Sequence, residues 1–315
     1  MIKTPRKTFN SIISSSRDSL ERVIKRVPRR IRVTATLVTF GLCIIALGYL
    51  GFETSRKINL DRLKLLDFLW SFLAGLGYFI LIAFGWIILT NQTDIRRAFA
   101  NWSRTQALHF VPGGLLTPAT RAYTLEGTRS RKVSAVLIES ALETSLAAAV
   151  AGVALSTGSS IFYALGVLVV VAVLTIAISL KSKTTIGTYQ IYGATVLLFL
   201  GRCSYCVAIY FAQLSLGLGR PSFWSIVGAS ALSWIIGYVA VFSPGGIGVR
   251  EIVYASILTS GSFGSRLSSS AASGGALAGR LSLSLAEIAV LVVSGIYFEK
   301  TPPTSIPENL GEPSR

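Results

Sequence analysis

The chain has 315 residues, of which 51% are hydrophobic and only 14% charged, well below the roughly 25% of a soluble protein of ordinary composition. Its apolar residues come in runs of the ~20 residues needed to cross a bilayer as helix. These features exclude an ordinary soluble domain and predict an all-α polytopic membrane protein; the net charge of +16 then points to anionic lipid, not nucleic acid, as its partner.

Residues 1–32 form the first unit, a basic cytoplasmic segment holding ten Lys or Arg against Asp18 and Glu21. Phe9, Ile12, Ile13, Leu20, Val23, Ile24 and Val27 recur at helical steps with Arg17, Arg22, Lys25 and Arg26 between them. That pattern suits an amphipathic helix lying in the headgroup plane. A solvated basic tail and an organellar transit peptide are the other readings, and no cleavable signal peptide is visible ahead of the first apolar run. The membrane unit covers residues 33–298, and a Pro-rich tail, residues 299–315, is expected to be disordered.

Apolar spans are predicted at 33–52, 68–90, 133–156, 161–180, 189–218, 223–242 and, after a Gly- and Ser-rich linker at 261–275, at about 276–298. Residues 53–67 are a mixed-charge loop that can pack as a short interfacial helix. The segment 98–123 is apolar but interrupted by Pro112 and Pro118, which suits a re-entrant pair better than a through-span. The whole reads as about seven or eight transmembrane helices with two re-entrant or broken segments in two pseudo-repeated halves. Lys and Arg density places the amino terminus, the loop with Arg96, Arg97, Arg104, Arg129, Arg131 and Lys132, and the turn with Lys181 and Lys183 on the cytoplasmic side. Arg56, Lys57, Arg62 and Lys64 are exceptions on the outer loop, and the side of the carboxyl terminus stays open.

The breaks carry the functional information. Val111-Pro112-Gly113-Gly114-Leu115 lies in the first half and Ser243-Pro244-Gly245-Gly246-Ile247 in the second. Pro lacks the helix donor and Gly is conformationally loose, and irregular backbone at bilayer depth survives only where protein or a wet cavity shelters it. Paired interruptions at corresponding places in two halves point to a transporter's binding site. Gly248 follows the second break, and Arg121 and Arg250 follow the two breaks, the latter beside Glu251. A half-helix starting near Gly246 would aim its free N–H groups into the break, with Arg250 able to hold a phosphate bidentately and Thr117 and Arg121 in the related part.

A charge at bilayer depth costs roughly 2.5–3.5 kcal/mol on insertion scales and asks for a partner or a purpose. Glu139 and Glu143 lie one turn apart on the third span. Carboxylates that close resist ionising together, an arrangement useful to a proton-coupled carrier; pairing with Arg129, Arg131 or Lys132 is the structural alternative. Arg250 could instead lock helices through Glu251 or Glu143, and Arg280 and Glu287 share a face of the last span that could bridge to them. Arg202 reads as packing or snorkelling. His109 is the single histidine, and Cys43, Cys203 and Cys206 all lie in apolar runs, so neither a zinc site nor a disulfide framework is indicated. No Walker-type phosphate loop occurs, and no cofactor is implied.

The stretch from His109 through Pro112, Gly113, Gly114, Thr117, Pro118 and Arg121 to Tyr123, followed by Arg131, Lys132 and Glu139, resembles the first signature of the lysylphosphatidylglycerol synthase transmembrane family. Phe242 to Glu251, with Pro244, Gly245, Gly246, Gly248 and Arg250, resembles the second. The resemblance covers about residues 35–298. That family includes the flippase-like membrane domain of multiple peptide resistance factors and stand-alone proteins. It implies a bundle with two re-entrant segments that handles lipid, with Pro112, Gly113, Arg121, Glu139, Pro244, Gly245, Gly246, Gly248, Arg250 and Glu251 at motif positions. The chain departs from the family at Ser140, where members often carry a basic residue, so the Glu139–Glu143 pair lacks its usual local cation. The sequence ends at Arg315 without a soluble aminoacyl-transfer domain, so synthesis of lysyl-lipid is not expected.

The sequence thus predicts translocation or binding of an anionic phospholipid or polyprenyl-linked lipid in a bacterial inner membrane, an organellar membrane being the alternative. The expected site is Arg121, Glu139, Glu143, Arg250, Glu251 and Arg280 around the broken backbone. The rival readings are an accessory subunit of a lipid or glycan synthesis complex, as a homo-oligomer or beside a partner synthase, and an intramembrane lipid-modifying transferase.

Overall fold

The computed structural model describes residues 64–107, 116–125, 128–155, 186–218, 221–240, 243–262 and 266–298. The basic amino-terminal segment, the spans expected at 33–52 and 161–180, the first Pro-Gly-Gly break with His109, and the tail lie outside them. Among the described residues the protein is all-helical. The helices are α1 (Leu65–Thr90), α2 (Ile95–Ala107), α3 (Leu116–Thr124), α4 (Arg129–Leu155), α5 (Thr188–Ser215), α6 (Phe223–Val239), α7 (Val249–Ser260) and α8 (Ser269–Phe298), with one 3₁₀ turn at Pro244–Gly246.

Four helices are long and apolar enough to cross a membrane: Leu65–Thr90, Arg131–Ala154, Thr188–Ser215 and Ser269–Ile296. α6 is apolar but only 17 residues long, short of the ~20 that span a hydrocarbon core. Outward faces are apolar and inward faces hold the charges, the reverse of a soluble bundle. On α8, Leu281, Leu285, Ile288, Val292 and Ile296 form an exposed stripe at three- and four-residue steps, while Ser282, Glu287 and Ser294 are buried. An apolar stripe facing outward is what lipid contact selects.

α1 and α5 make the most extensive helix pairing, and small residues set their spacing. A Cβ at Gly77 would stand 2.9 Å from Ser204 Oγ, at Gly85 3.2 Å from Leu198 Cδ2, and at Gly201 3.2 Å from Ile82 Cγ1. Lipid tails give apolar helices no reason to associate, so close backbone approach and interhelical hydrogen bonds carry the packing. Ser204 Oγ donates to Ala74 O at 2.7 Å, and Ser71 Oγ donates to Ala208 O and meets Ser282 Oγ, both at 2.7 Å. Those bonds join α1, α5 and α8.

Contacts at the helix ends set the course of the chain. Lys64 N donates to Ser215 O at 2.8 Å, so the start of α1 meets the end of α5. Gln213 Nε2 donates to Ala271 O at 2.9 Å and Leu267 N to Leu258 O at 2.9 Å, which brings the start of α8 and the end of α7 to the same end of the bundle. α6 also begins there, with Phe223 edge-on to Tyr210 at 5.2 Å. At the opposite end Arg131 Nη2 donates to Thr90 O at 3.1 Å, joining the start of α4 to the end of α1. α2 starts beside that junction with Asp94 as its cap, Oδ1 accepting from Arg97 N at 3.0 Å. Arg96, Arg97 and Arg104 are exposed on α2.

One expectation is overturned. The Gly- and Ser-rich stretch at 261–275 is not a linker throughout, because α8 begins at Ser269. Its small side chains are a packing device. Gly275 faces the buried Gln213 side chain so closely that any Cβ would overlap Gln213 Oε1, and Tyr254 Oη donates to that same oxygen at 3.2 Å.

The small-residue seam predicts that Gly201→Leu costs about 1–3 kcal/mol, the usual penalty of overpacking. The neighbouring Leu200→Ala, at a position 46% exposed, should be close to neutral. Thermal unfolding of the two purified variants in detergent distinguishes them, and equal effects would rule out the tight α1–α5 contact.

Candidate functional site

The second break is where backbone chemistry and charge meet. After α6 ends at Val239, a 3₁₀ turn at Pro244–Gly246 leads to Gly248, the residue before α7. Gly245, Gly246 and Gly248 have φ of 58°, 70° and 83°, a region that side-chain-bearing residues rarely adopt. Ser243 Oγ donates to Ile247 O at 2.6 Å and so closes the turn. Glu251 Oε2 accepts from Gly248 N at 2.6 Å, satisfying one of the orphan donors that open a helix. Glu251 is therefore the cap of α7. α7 starts at Val249, not at Gly246, which puts Arg250 in its first turn.

A cavity of about 270 Å³ lies against this turn. Arg121, Glu139, Glu143, Arg250, Arg280 and Glu287 all line it, as do Gly245 and Gly246 of the break. The sequence-predicted residues thus converge from α3, α4, α7 and α8; Glu251 lines a smaller adjoining recess. Pro112, Gly113 and Gly114 lie outside the described residues.

The charges are matched across helices, only in part as the sequence suggests: the last span does reach Glu251 through Arg280. Arg121 Nη1 donates to Glu139 Oε1 at 2.5 Å, with side-chain exposures of 10% and 5%. Its Nη2 donates to Gln106 Oε1, and its guanidinium lies 5.1 Å from the centre of the Trp102 ring and 5.7 Å from that of Trp86. Held on three sides, Arg121 locks α3 to α2 and α4 while its Nε stays without a hydrogen bond at the cavity wall. The cation that meets Glu139 comes from α3. Glu143 is 3.6 Å from Arg202 Nη2, and Arg202 is buried at 2% exposure with its guanidinium 4.1 Å over Trp234. Arg202 therefore turns inward and does not snorkel. Arg280 Nε stands 3.9 Å from Glu251 Oε1, a loose pair beyond hydrogen-bond reach.

Arg250 is the exception. It makes no hydrogen bond or ion pair within 4.0 Å among the described residues, its buried Nε has no partner, and its guanidinium sits 5.5 Å over Trp234. Neither Glu251 nor Glu143 neutralises it. A half-buried cation left in this state is costly, which marks the position for a purpose beyond packing.

Gly237 on α6 makes room for Arg250. A Cβ there would overlap Arg250 Cγ and stand 2.8 Å from Nε, and a Cβ on Gly246 would stand 2.6 Å from Nε. The arginine stem runs through a notch cut by two glycines, one in the helix and one in the break. Gly246 was legible from its motif; Gly237 sits in an apolar helix with no turn signal around it. Gln106 and Trp234 were also missed, because their roles exist only across helices. Among the described residues no cluster of His, Cys, Asp or Glu could hold a metal. No family model and no curated protein matches the chain.

Two predictions follow from this geometry. Arg121→Met alone should cost about 3–5 kcal/mol by stranding a buried carboxylate, and adding Glu139→Leu should recover most of it; the double-mutant cycle in thermal unfolding measures the difference. Gly237→Ala should leave the protein folded, at a cost of about 1–3 kcal/mol, but displace Arg250. Ligand response at the cavity should then fall as far as it does on removing the arginine.

Proposed function

We propose that this protein binds the anionic group of a lipid at Arg250 and moves that lipid between leaflets, as the resemblance to the lysylphosphatidylglycerol synthase transmembrane family implies. The observation that carries the reading is an arginine that makes no ion pair among the described residues, set beside a broken helix and lining a cavity. A guanidinium offers donors in a fixed fork that matches phosphate, and an incoming phosphate would supply the charge that Arg250 lacks among the described residues.

The helix-end contacts support re-entrant segments. α2 and α3 lie between the end of α1 and the start of α4, which meet at Arg131 and Thr90, so that segment is read as entering and leaving at one face. α6 and α7 both have their outer ends near the α5 terminus and Leu267, so the second broken segment is read as entering from the opposite face. Two hairpins inserted from opposite faces are the architecture of inverted-repeat carriers, whose sites lie near the midplane. The exposed Arg96, Arg97 and Arg104 favour a cytoplasmic position for the first hairpin's face. A bacterial inner membrane with seven or eight crossings, about the number its apolar runs allow, fits this arrangement. Arg121 and Glu139 then serve as a brace, and Glu143 and Glu287 line the route.

The test is translocation of fluorescent phospholipids by purified protein in liposomes, wild type beside Arg250→Ala. Movement by the wild type that the variant loses, with thermal stability retained, is the expected result. Equal movement by both proteins would remove Arg250 from the mechanism. No movement by either, across anionic, zwitterionic and polyprenyl-phosphate lipids, would sink the transport reading.

A further inference from the structure

The cavity beside the broken helix has a second polar wall. α3 lines it with Thr117, Pro118 and Arg121, and Thr117 and Arg121 lie one turn apart on the same face of that helix. The Thr117 hydroxyl is buried and makes no hydrogen bond among the described residues, and the same holds for Arg121 Nε. A helical threonine commonly returns its hydroxyl to a carbonyl of the preceding turn. Thr90, Thr144 and Thr195 do so at 2.7, 2.8 and 2.7 Å; Thr117 does not. A buried polar group without a partner is costly and rare in folded proteins. Two on one face of α3, both at a cavity wall, mark a place where a ligand supplies the partner.

The chemistry of this wall differs from that at Arg250. The charge of Arg121 is met by Glu139, and its terminal nitrogens are engaged by Glu139 and Gln106, which leaves the Nε–H as a donor without a net charge behind it. That N–H only donates, whereas a threonine hydroxyl donates or accepts. The partner that suits both is an uncharged oxygen able to accept and to donate, which is a hydroxyl. A second anion would have to compete with Glu139 for the guanidinium. An ammonium group has no acceptor to give Nε–H and would meet a cation. Arg250, on α7, makes no ion pair among the described residues and lines the same cavity. The space therefore offers an unmatched positive charge on one wall and neutral hydrogen-bonding groups on another.

Resting on the lipid-binding reading above, we propose that Thr117 Oγ1 and Arg121 Nε hold a hydroxyl of the ligand's head group while Arg250 holds its phosphate. The ligand is then a phosphodiester lipid with a hydroxyl-bearing head group. The cavity measures about 270 Å³. At roughly 10–15 Å³ per water-sized atom it has room for about twenty, against about ten non-hydrogen atoms in a phosphate with a three-carbon diol beyond it. Thr117 is thus a specificity residue, since its hydroxyl contributes nothing to the fold that a methyl group of the same shape would not.

Thermal unfolding of the full chain in detergent decides the matter, with phosphatidylglycerol, phosphatidylpropanol and phosphatidylethanolamine of the same acyl chains as separate additions. Phosphatidylpropanol has the charge and chain length of phosphatidylglycerol but no head-group hydroxyl. Phosphatidylglycerol should stabilise the wild type with an apparent affinity about ten-fold above phosphatidylpropanol, as hydrogen bonds to a hydroxyl and a charged donor provide. Thr117→Val should unfold, without lipid, at or above the wild-type temperature, because it removes an unpartnered buried hydroxyl. It should also bring the two affinities together, whereas Thr117→Ser should keep them apart. Equal affinities in the wild type overturn the hydroxyl subsite, as does a preference that survives in Thr117→Val. A lower unfolding temperature of Thr117→Val without lipid also overturns it, since the hydroxyl would then be bonded within the fold. Tighter binding of phosphatidylethanolamine than of phosphatidylglycerol overturns it in favour of an ammonium seat at the cavity's carboxylates. Absence of any response overturns the cavity as a head-group seat, while translocation by wild type and Arg250→Ala separately decides the underlying reading.

Discussion

The cost of leaving a buried charge uncompensated organises this bundle. Arg121 of α3 meets Glu139 of α4, Glu143 of α4 faces Arg202 of α5, and Glu251 of α7 faces Arg280 of α8. Each pair crosses between elements, so a shift of one helix past another would strand a charge. Apolar surface cannot supply that specificity in lipid, because one apolar face packs as well as another. The small residues at Gly77, Gly85 and Gly201 let the helices come close; the charge pairs fix how they come together.

The broken helix answers the same constraint for the backbone. The N–H groups that open a helix need partners, and the Pro-Gly-Gly turn finds them within the protein. Ser243 and Glu251 provide them. The motif order is thereby explained: glycines adopt the left-handed angles, the glutamate at the third helical position reaches back to Gly248, and the arginine before it projects elsewhere. Oε2 of Glu251 caps α7 and its Oε1 faces Arg280 at 3.9 Å, so among the described residues neither oxygen pairs with Arg250.

Much of this was legible in the sequence, and the reasons for the rest are physical. Spans appeared as apolar runs, and 189–218 and 223–242 match α5 and α6 within a few residues at each end. The breaks stood out because Pro and Gly act locally, so their effect is written where they occur. Partner choice is not local. Nothing near Glu139 in the chain singles out Arg121 over Arg129 or Lys132, and nothing near Arg202 shows that it turns inward over Trp234. The stretch at 261–275 was misread for a related reason. Ser and Gly are poor helix formers in isolation, but packing against Gln213 and α5 favours them because they are small.

The contrast between Arg121 and Arg250 shows why motif position alone does not assign a role. Both follow a Pro-Gly-Gly break, and sequence logic gives them equivalent parts. Arg121 is enclosed by Glu139, Gln106 and two tryptophans, so any ligand phosphate would have to displace a carboxylate already in place. Arg250 needs no such exchange. Among the described residues its guanidinium lies over the Trp234 ring, which is attractive but does not cancel charge. The two arginines differ in what surrounds each of them: a carboxylate on α4 meets the side chain of Arg121, and a notch of glycines on α6 and the break receives that of Arg250.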